Sequence, residues 1–174
     1  MRLVEQTVAR DDPAPKALAC YGLLARCWDV GHGRSADRWL RFVAGRPVSA
    51  VTSAFLRWCA ARAQERGKRA VLLVWDNASG HDSQIGRSWV RQHNLQVKQA
   101  GHGVRLLVCY LPTKSPWLNP IAPKWVAGKK RVAEPARLLF APELEDRVCA
   151  AFVCDRAPHL IQPHPKAPKS KKAA

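Results

Sequence analysis

Asp76, Asn77 and His81 have the types and spacing that could do chemistry. They sit in the stretch RAVLLVWDNASGH, Arg69 to His81. The unbroken apolar run from Ala70 to Trp75 leads directly into Asp76. A run this short, carrying β-branched valines and closed by Asn-Ala-Ser-Gly, predicts a strand buried on both faces. Asp76 would then stand at the carboxyl end of a central strand, where open α/β sheets place ligands and chemistry. The plain alternative is that Asp76 starts a turn, as Asp and Asn routinely do.

A scaffold must hold that strand end. Arg2 to Val8 alternates weakly and reads as a strand, broken by Asp11, Asp12, Pro13 and Pro15. Ala17 to Leu24 is a second strand, Cys27 to Asp37 a loop, and Trp39 to Val43 the return strand of a hairpin. Val51 to Arg66 places Val51, Ala54, Phe55, Trp58 and Cys59 at helical spacing, and Gly67 is a natural stop. Beyond Asp76 the pattern predicts a helix over Ser83 to His93, with Ile85, Trp89 and Val90 inward. A buried strand follows over Val104 to Leu111. A helix then starts at Asn119-Pro120, since Asn is a favoured N-cap and proline is tolerated at the first helical position. A last helix spans Pro142 to Cys154. Trp58, Trp89 and Trp125 fall at core-like helical positions, whereas Trp117 lies in a proline-rich loop and is the aromatic residue suited to meeting a base. From Pro158 the chain is proline- and lysine-rich and reads as a disordered tail. The expected division is a folded domain over 1–156 and a basic tail over 157–174. This order of elements predicts an α/β domain with a mixed sheet flanked by helices.

With 174 residues the chain is about one domain long and can bury a real core. Lys and Arg number 29 against 13 Asp and Glu, a formal net charge of +16. That excess favours a polyanionic partner, above all nucleic acid. No apolar run approaches the ~18 residues a bilayer span needs. The first residues lack the apolar core of a signal peptide. The expectation is therefore a cytoplasmic protein without a membrane partner. Cys20, Cys27, Cys59, Cys109, Cys149 and Cys154 form no C-x-x-C and read as buried, reduced thiols rather than zinc ligands.

A second stretch stands out: YLPTKSPWLNPIAPKW, Tyr110 to Trp125. Together with VWDNASGH it resembles the catalytic domain of bacterial insertion-sequence transposases of the mariner-like superfamily, the DDE type. That family typically shows a strand ending in Asp-Asn-x-x-x-His. It then shows a strand followed by Leu-Pro-x-x-Ser-Pro-x-Leu-Asn-Pro-Ile-Glu and a Trp three residues on. Asp76, Asn77 and His81 match the first pattern. Leu111, Pro112, Ser115, Pro116, Leu118, Asn119, Pro120, Ile121 and Trp125 match the second. The resemblance runs from about Arg2 to Cys154 and implies a ribonuclease-H-like fold. It also implies Mg2+ or Mn2+ as cofactor and DNA as partner, and it leaves a homo-oligomer open.

Cleaving a phosphodiester and joining DNA ends is in-line displacement at phosphorus, which two divalent ions ~4 Å apart can assist. Such ions want hard oxygen ligands, so carboxylates must converge on them. The family uses three. Asp76 fills the position at the end of the fourth strand and is the metal ligand the resemblance assigns. The third position falls at Ala122, where the family has Glu, and a methyl group cannot coordinate a metal. The first belongs on a central strand upstream of the stretch that resembles Arg2 to Val8, so the expected domain is N-terminally truncated and lacks that strand. Asp11 and Asp12 precede prolines in a turn, the wrong context for a ligand; Asp82 could lie near Asp76 but reads better as a helix-start residue, and Glu134 lies more than two helical turns from Ala122 and before Pro135.

Asn77, His81, Lys114, Trp117, Lys124, Lys129, Lys130 and Arg131 surround the expected site and are the candidate DNA contacts. His81 also has a plainer reading as a turn or capping residue, and the lysines as a solvated face. The first functional reading is a transposase catalytic-domain fragment defective in cleavage that keeps weak, salt-sensitive DNA binding. A second is a working nuclease completed by another chain. A third is a non-enzymatic basic DNA-binding protein on the same scaffold.

Overall fold

A computed structural model describes residues 18–29, 33–44, 49–75, 84–112, 115–132 and 139–160. Strands β1 (Leu18–Asp29) and β2 (Gly33–Ala44) form an antiparallel hairpin, with Leu18 opposite Ala44 and Asp29 opposite Gly33. The ladder runs much further toward its tip than the expected Cys27–Asp37 loop allowed. Trp28 pairs opposite Arg34, whose guanidinium lies 5.1 Å from the indole centroid. That cross-strand stack gives the outer half of the hairpin a reason to stay extended.

Helix α1 (Ser49–Glu65) follows and ends at Gly67, whose φ of +68° suits a residue without Cβ. Strand β3 (Ala70–Trp75), helix α2 (Gln84–Ala100) and strand β4 (Arg105–Tyr110) form a parallel β–α–β unit, Ala70 opposite Arg105 and Trp75 opposite Tyr110. Parallel strands need such a crossover, and the helix supplies it. Helices α3 (Ala122–Val132) and α4 (Ala141–Phe152) complete the described chain.

One core joins the hairpin to the β–α–β unit through α1. Phe55, Leu56, Cys59, Ala60 and Ala63 of α1 meet Ala25 and Trp39 on one side and Leu73, Trp75, Val90, Val104 and Leu106 on the other. Trp58 and Trp89 are partly buried against this core, as their spacing suggested. Ile85 is exposed instead of inward. Leu40 lies on the opposite face of β2, beside Gly22 and the Trp125 ring of α3. The hairpin is therefore a layer between α1 and the α3–α4 pair.

Four strands are described, but they form two separate two-stranded sheets rather than one mixed sheet. The edges explain the split. The Leu160 N–H donates to Phe42 O at 3.2 Å, so Phe42 turns its polar groups away from β1. Alternation then turns the N–H and C=O groups of Cys20, Gly22, Leu24, Arg26 and Trp28 to the outer edge of β1. Trp28 O accepts from Lys68 Nζ at 3.2 Å, so that edge lies on the side of the chain entering β3. On β3, Arg69 O and Trp75 O accept from Arg105 and Leu111 of the β4 side at 3.0 and 2.8 Å. Ala70, Leu72 and Val74 must therefore present their polar groups to the other edge. Among the described residues no strand pairs there.

The same unit corrects the expectation that β3 is buried on both faces. Leu73 and Trp75 are buried, but Leu72 is 68% exposed, and Val74, Leu107 and Cys109 are exposed with it. An apolar run specifies burial only if something covers each face, and no described element covers this one. All six cysteines are free; Cys59 and Cys149 are buried, whereas Cys109 departs from the expected buried set.

The chain past α4 also departs from expectation over residues 158–160. Pro158 O accepts from Arg41, and Leu160 packs on the core. His159 Nε2 bonds Glu145 Oε1, and Arg156 Nη2 lies 2.8 Å from Glu145 Oε2. Glu145 is a buried carboxylate of α4, only 1% exposed; Arg156 supplies the opposite charge and His159 a hydrogen-bond partner. The proposed strand over Arg2 to Val8 and the rest of the tail lie outside the described residues.

Candidate active site at the carboxyl ends of β3 and β4

Asp76, Asn77, His81 and Lys114 lie outside the described residues, as do Asp11, Asp12, Asp82 and Glu134. The strand that delivers Asp76 is described and well held. Trp75 is buried, and its ring lies parallel to that of Tyr110, centroids 6.4 Å apart. The Leu111 N–H donates to Trp75 O, so the ladder continues one residue beyond Tyr110. The strand end next to Asp76 is therefore fixed by hydrogen bonding and by packing.

The second motif builds the start of α3. Leu118 N–H donates to Ser115 O at 3.1 Å around a single 3-10 turn, Pro116–Leu118. Asn119 Oδ1 accepts from the Ile121 N–H at 3.3 Å, and Asn119 O accepts from the Ala122 N–H at 3.0 Å. Asn119 thus holds the turn that leads into the helix, and α3 starts at Ala122, two residues later than the expected first helical position at Pro120. Trp125, three residues on, orients the helix. Its ring lies against Phe152 of α4 with centroids 5.0 Å apart, and a Cβ on Gly22 of β1 would come within 2.5 Å of Trp125 Cζ2. Gly128 is the second close approach, its position filled by the Phe152 ring. Two glycines and two aromatic rings therefore lock α3 between β1 and α4.

This geometry separates residues that the sequence placed together. Lys124 shares the first turn of α3 with Ala122. Lys129, Lys130 and Arg131 occupy the last turn, about 10 Å further along the axis at 1.5 Å per residue. There they complement the negative end of the helix dipole. All four side chains are exposed, and Trp117 is 73% exposed. Sequence reasoning missed Arg87, Arg91 and Tyr110, which line a cleft of about 420 Å³ between α2 and β4 beside the strand ends. The available signal was two arginines four residues apart on a helix without acidic residues.

Position 122, where the resemblance implies a carboxylate, carries only the methyl group of alanine. Among the described residues no three His, Cys, Asp or Glu side chains converge as a metal group.

A parallel β–α–β unit whose first strand runs in sequence into Asp76, followed by helices α3 and α4, makes an α/β domain. The family described as DDE superfamily endonuclease matches residues 7–145, and the chain belongs to that family. The family acts on DNA and generally uses divalent metals. No curated protein and no solved structure matches the chain. Among the described residues no helix is long and apolar enough to cross a membrane.

Proposed function

We propose that the chain carries the catalytic-domain sequence of a mariner-like insertion-sequence transposase, and that by itself it holds DNA in the cytoplasm without cutting it. The observation that carries this reading is Ala122, the first residue of a firmly seated helix. The helix start is intact, so a carboxylate is missing from a frame still shaped to present one. Alanine at position 122 supplies no oxygen to a pair of Mg2+ or Mn2+ ions, whose ligands must come from several groups.

The finer fold in this reading is a ribonuclease-H-like sheet whose central place none of the described strands fills, with Arg2 to Val8 the segment that would fill it. The outward-facing edges of β1 and β3 support it, as does Lys68 reaching Trp28 O between them. A non-enzymatic DNA-binding role on the same scaffold is the second reading, favoured by the exposed basic last turn of α3.

The test is a cleavage assay on terminal-repeat duplex DNA with Mg2+ or Mn2+. The parent chain and Asp76→Ala should show the same background. Turnover in the parent that vanishes in Asp76→Ala would overturn the proposal.

A further inference from the structure

A small cavity of about 190 Å³ lies where β2, α1 and the chain just past α4 meet, and none of its lining residues belongs to the motifs of the candidate active site. Arg38 and Trp39 line it from β2, and Arg62 and Arg66 line it from α1. Arg62 and Arg66 are one helical turn apart, a spacing at which like charges repel. Arg66 pairs with Asp37. Among the described residues the buried Arg62 Nε has no hydrogen-bond partner, and neither has Nε1 of Trp39, a residue only 4% exposed. One cavity is thus lined from two walls by residues that each hold a buried donor without an acceptor. Native structures rarely leave such groups alone, so two of them together call for an explanation. The flat faces of the arginines are already used. The Arg62 guanidinium lies 5.9 Å from the Trp39 ring centroid and 5.6 Å from that of Trp58, and Arg66 lies 5.1 Å from that of Trp39. Stacking occupies the faces of a guanidinium and leaves its N–H edges to donate.

We propose that this cavity binds an oxyanion of the phosphate type. The oxyanion accepts from the Trp39 Nε1–H and the Arg62 Nε–H, and Arg38 adds charge from the exposed rim. Three arginines and two aspartates, Asp37 and Asp155, line the cavity, so its lining keeps a net charge of one positive. Hydrogen bonds from a charged donor to a charged acceptor are the strong ones. A tetrahedral oxyanion presents acceptors in several directions, so one ligand reaches a donor on β2 and a donor on α1 together. At ~30 Å³ for each water-sized share of liquid volume, 190 Å³ has room for such an ion and little more. It falls below the roughly 300–1,000 Å³ of sites for larger small molecules. The inference stands apart from the DNA-handling reading and does not rest on it.

Isothermal titration calorimetry of the full chain with inorganic phosphate, in EDTA and Tris chloride at constant ionic strength, tests the proposal. The parent should bind one phosphate per chain. Trp39→Phe keeps an aromatic ring and removes the donor, and should weaken binding by about tenfold or more. Arg62→Gln should do the same. Arg38→Gln, on the exposed rim, should weaken binding about threefold, and it carries the test if circular dichroism shows Trp39→Phe unfolded. Arg57→Gln removes the same charge from a side of α1 that does not line the cavity, and should stay within about 1.5-fold of the parent. Three results would overturn the proposal. One is a parent that binds no phosphate, as a cavity holding only water would. Another is folded Arg62→Gln and Arg38→Gln variants that bind like the parent. The third is an Arg57→Gln loss as large as that of Arg38→Gln. Fluorescence anisotropy of a labelled oligothymidylate of about 12 nucleotides separates two sources of the phosphate. Displacement by inorganic phosphate in the parent but not in Arg62→Gln supports the site as the seat of a nucleic-acid phosphate. Calorimetric binding without displacement supports it as a site for free phosphate. Neither arm uses metal or turnover, so failure here leaves the cleavage test standing, and the reverse also holds.

Discussion

Position 122 separates what the helix start does for the fold from what it would do for chemistry. Asn119 accepts from the Ile121 N–H at 3.3 Å, longer than the usual 2.9–3.0 Å for such a bond. Its worth should lie toward the low end for a cap, so Asn119→Ala should cost about 0.5–1 kcal/mol in a urea titration. Ala122→Glu would place a negative charge in a first turn that has no acidic residue. In EDTA it should raise stability by about 0.3–1 kcal/mol through the helix dipole alone. Ala122→Lys should lower stability by a similar amount. If both substitutions shifted stability the same way, packing rather than charge would control the position. Because the Glu variant should be the more stable protein without metal, any gain in Mn2+ affinity can be read separately from folding. Gly22 lies under Trp125 with no room for a Cβ, so Gly22→Ala should destabilise by about 1–3 kcal/mol and loosen α3 from β1.

At the level of elements, Asn94 does for β4 what a neighbouring strand would do. Its amide takes both polar groups of Leu106 and covers an edge that would otherwise invite pairing with another chain. Asn94→Ala should therefore cost about 1–3 kcal/mol, seen as a lower urea midpoint with an unchanged m-value. Hydrogen exchange should show the hold on this strand: the amides of Leu106 and Leu111 exchange slowly. These elements also show what the sequence could reveal. The strand from Ala70 to Trp75 and the helix over Val51 to Arg66 were legible because apolar spacing is a local property. The extension of β1 to Asp29 was not, because it depends on Arg34 stacking on Trp28 across the hairpin. The exposed outer face of β3 was not, because burial depends on what lies opposite, and a run of valine and leucine looks the same covered or bare. The turn into α3 at Asn119 was legible from its residue type. The cleft at Arg87 and Arg91 was not, because on the chain those arginines resemble an ordinary polar helix face.

For the whole molecule, a net charge of +16 overstates what is free to meet a polyanion. Arg41 and Arg62 lie over Trp58, Arg62 and Arg66 over Trp39, and Arg57 over Trp89. Arg66 also pairs with Asp37. These cations hold α1 against β2 and α2, so part of the charge serves cohesion, and the salt slope of DNA binding should reflect far fewer phosphates than the net charge suggests. The joined core has a pH limit of its own on the alkaline side, where its buried thiols titrate. Burial pushes Cys59 from its ordinary value of 9.0 up to about 12 and does the same to Cys20 and Cys154, with neighbouring thiols adding to the effect on those two. In the folded protein these groups keep protons that the unfolded chain loses above pH 9. The unfolded state then binds fewer protons, so stability must fall as pH rises from about 9 toward 12 and stay level on this account below 9. Cys59 lies between both sheets in the shared core. Cys59→Ala should start lower, because it leaves a small cavity, yet lose stability more slowly with rising pH. The stability gap between parent and variant should therefore narrow across urea titrations run from pH 8 to pH 11. A gap that stayed constant over that range would mean the Cys59 thiol has no differential titration between folded and unfolded chain, and that burial at the meeting of the two sheets is looser than the packing of α1 indicates.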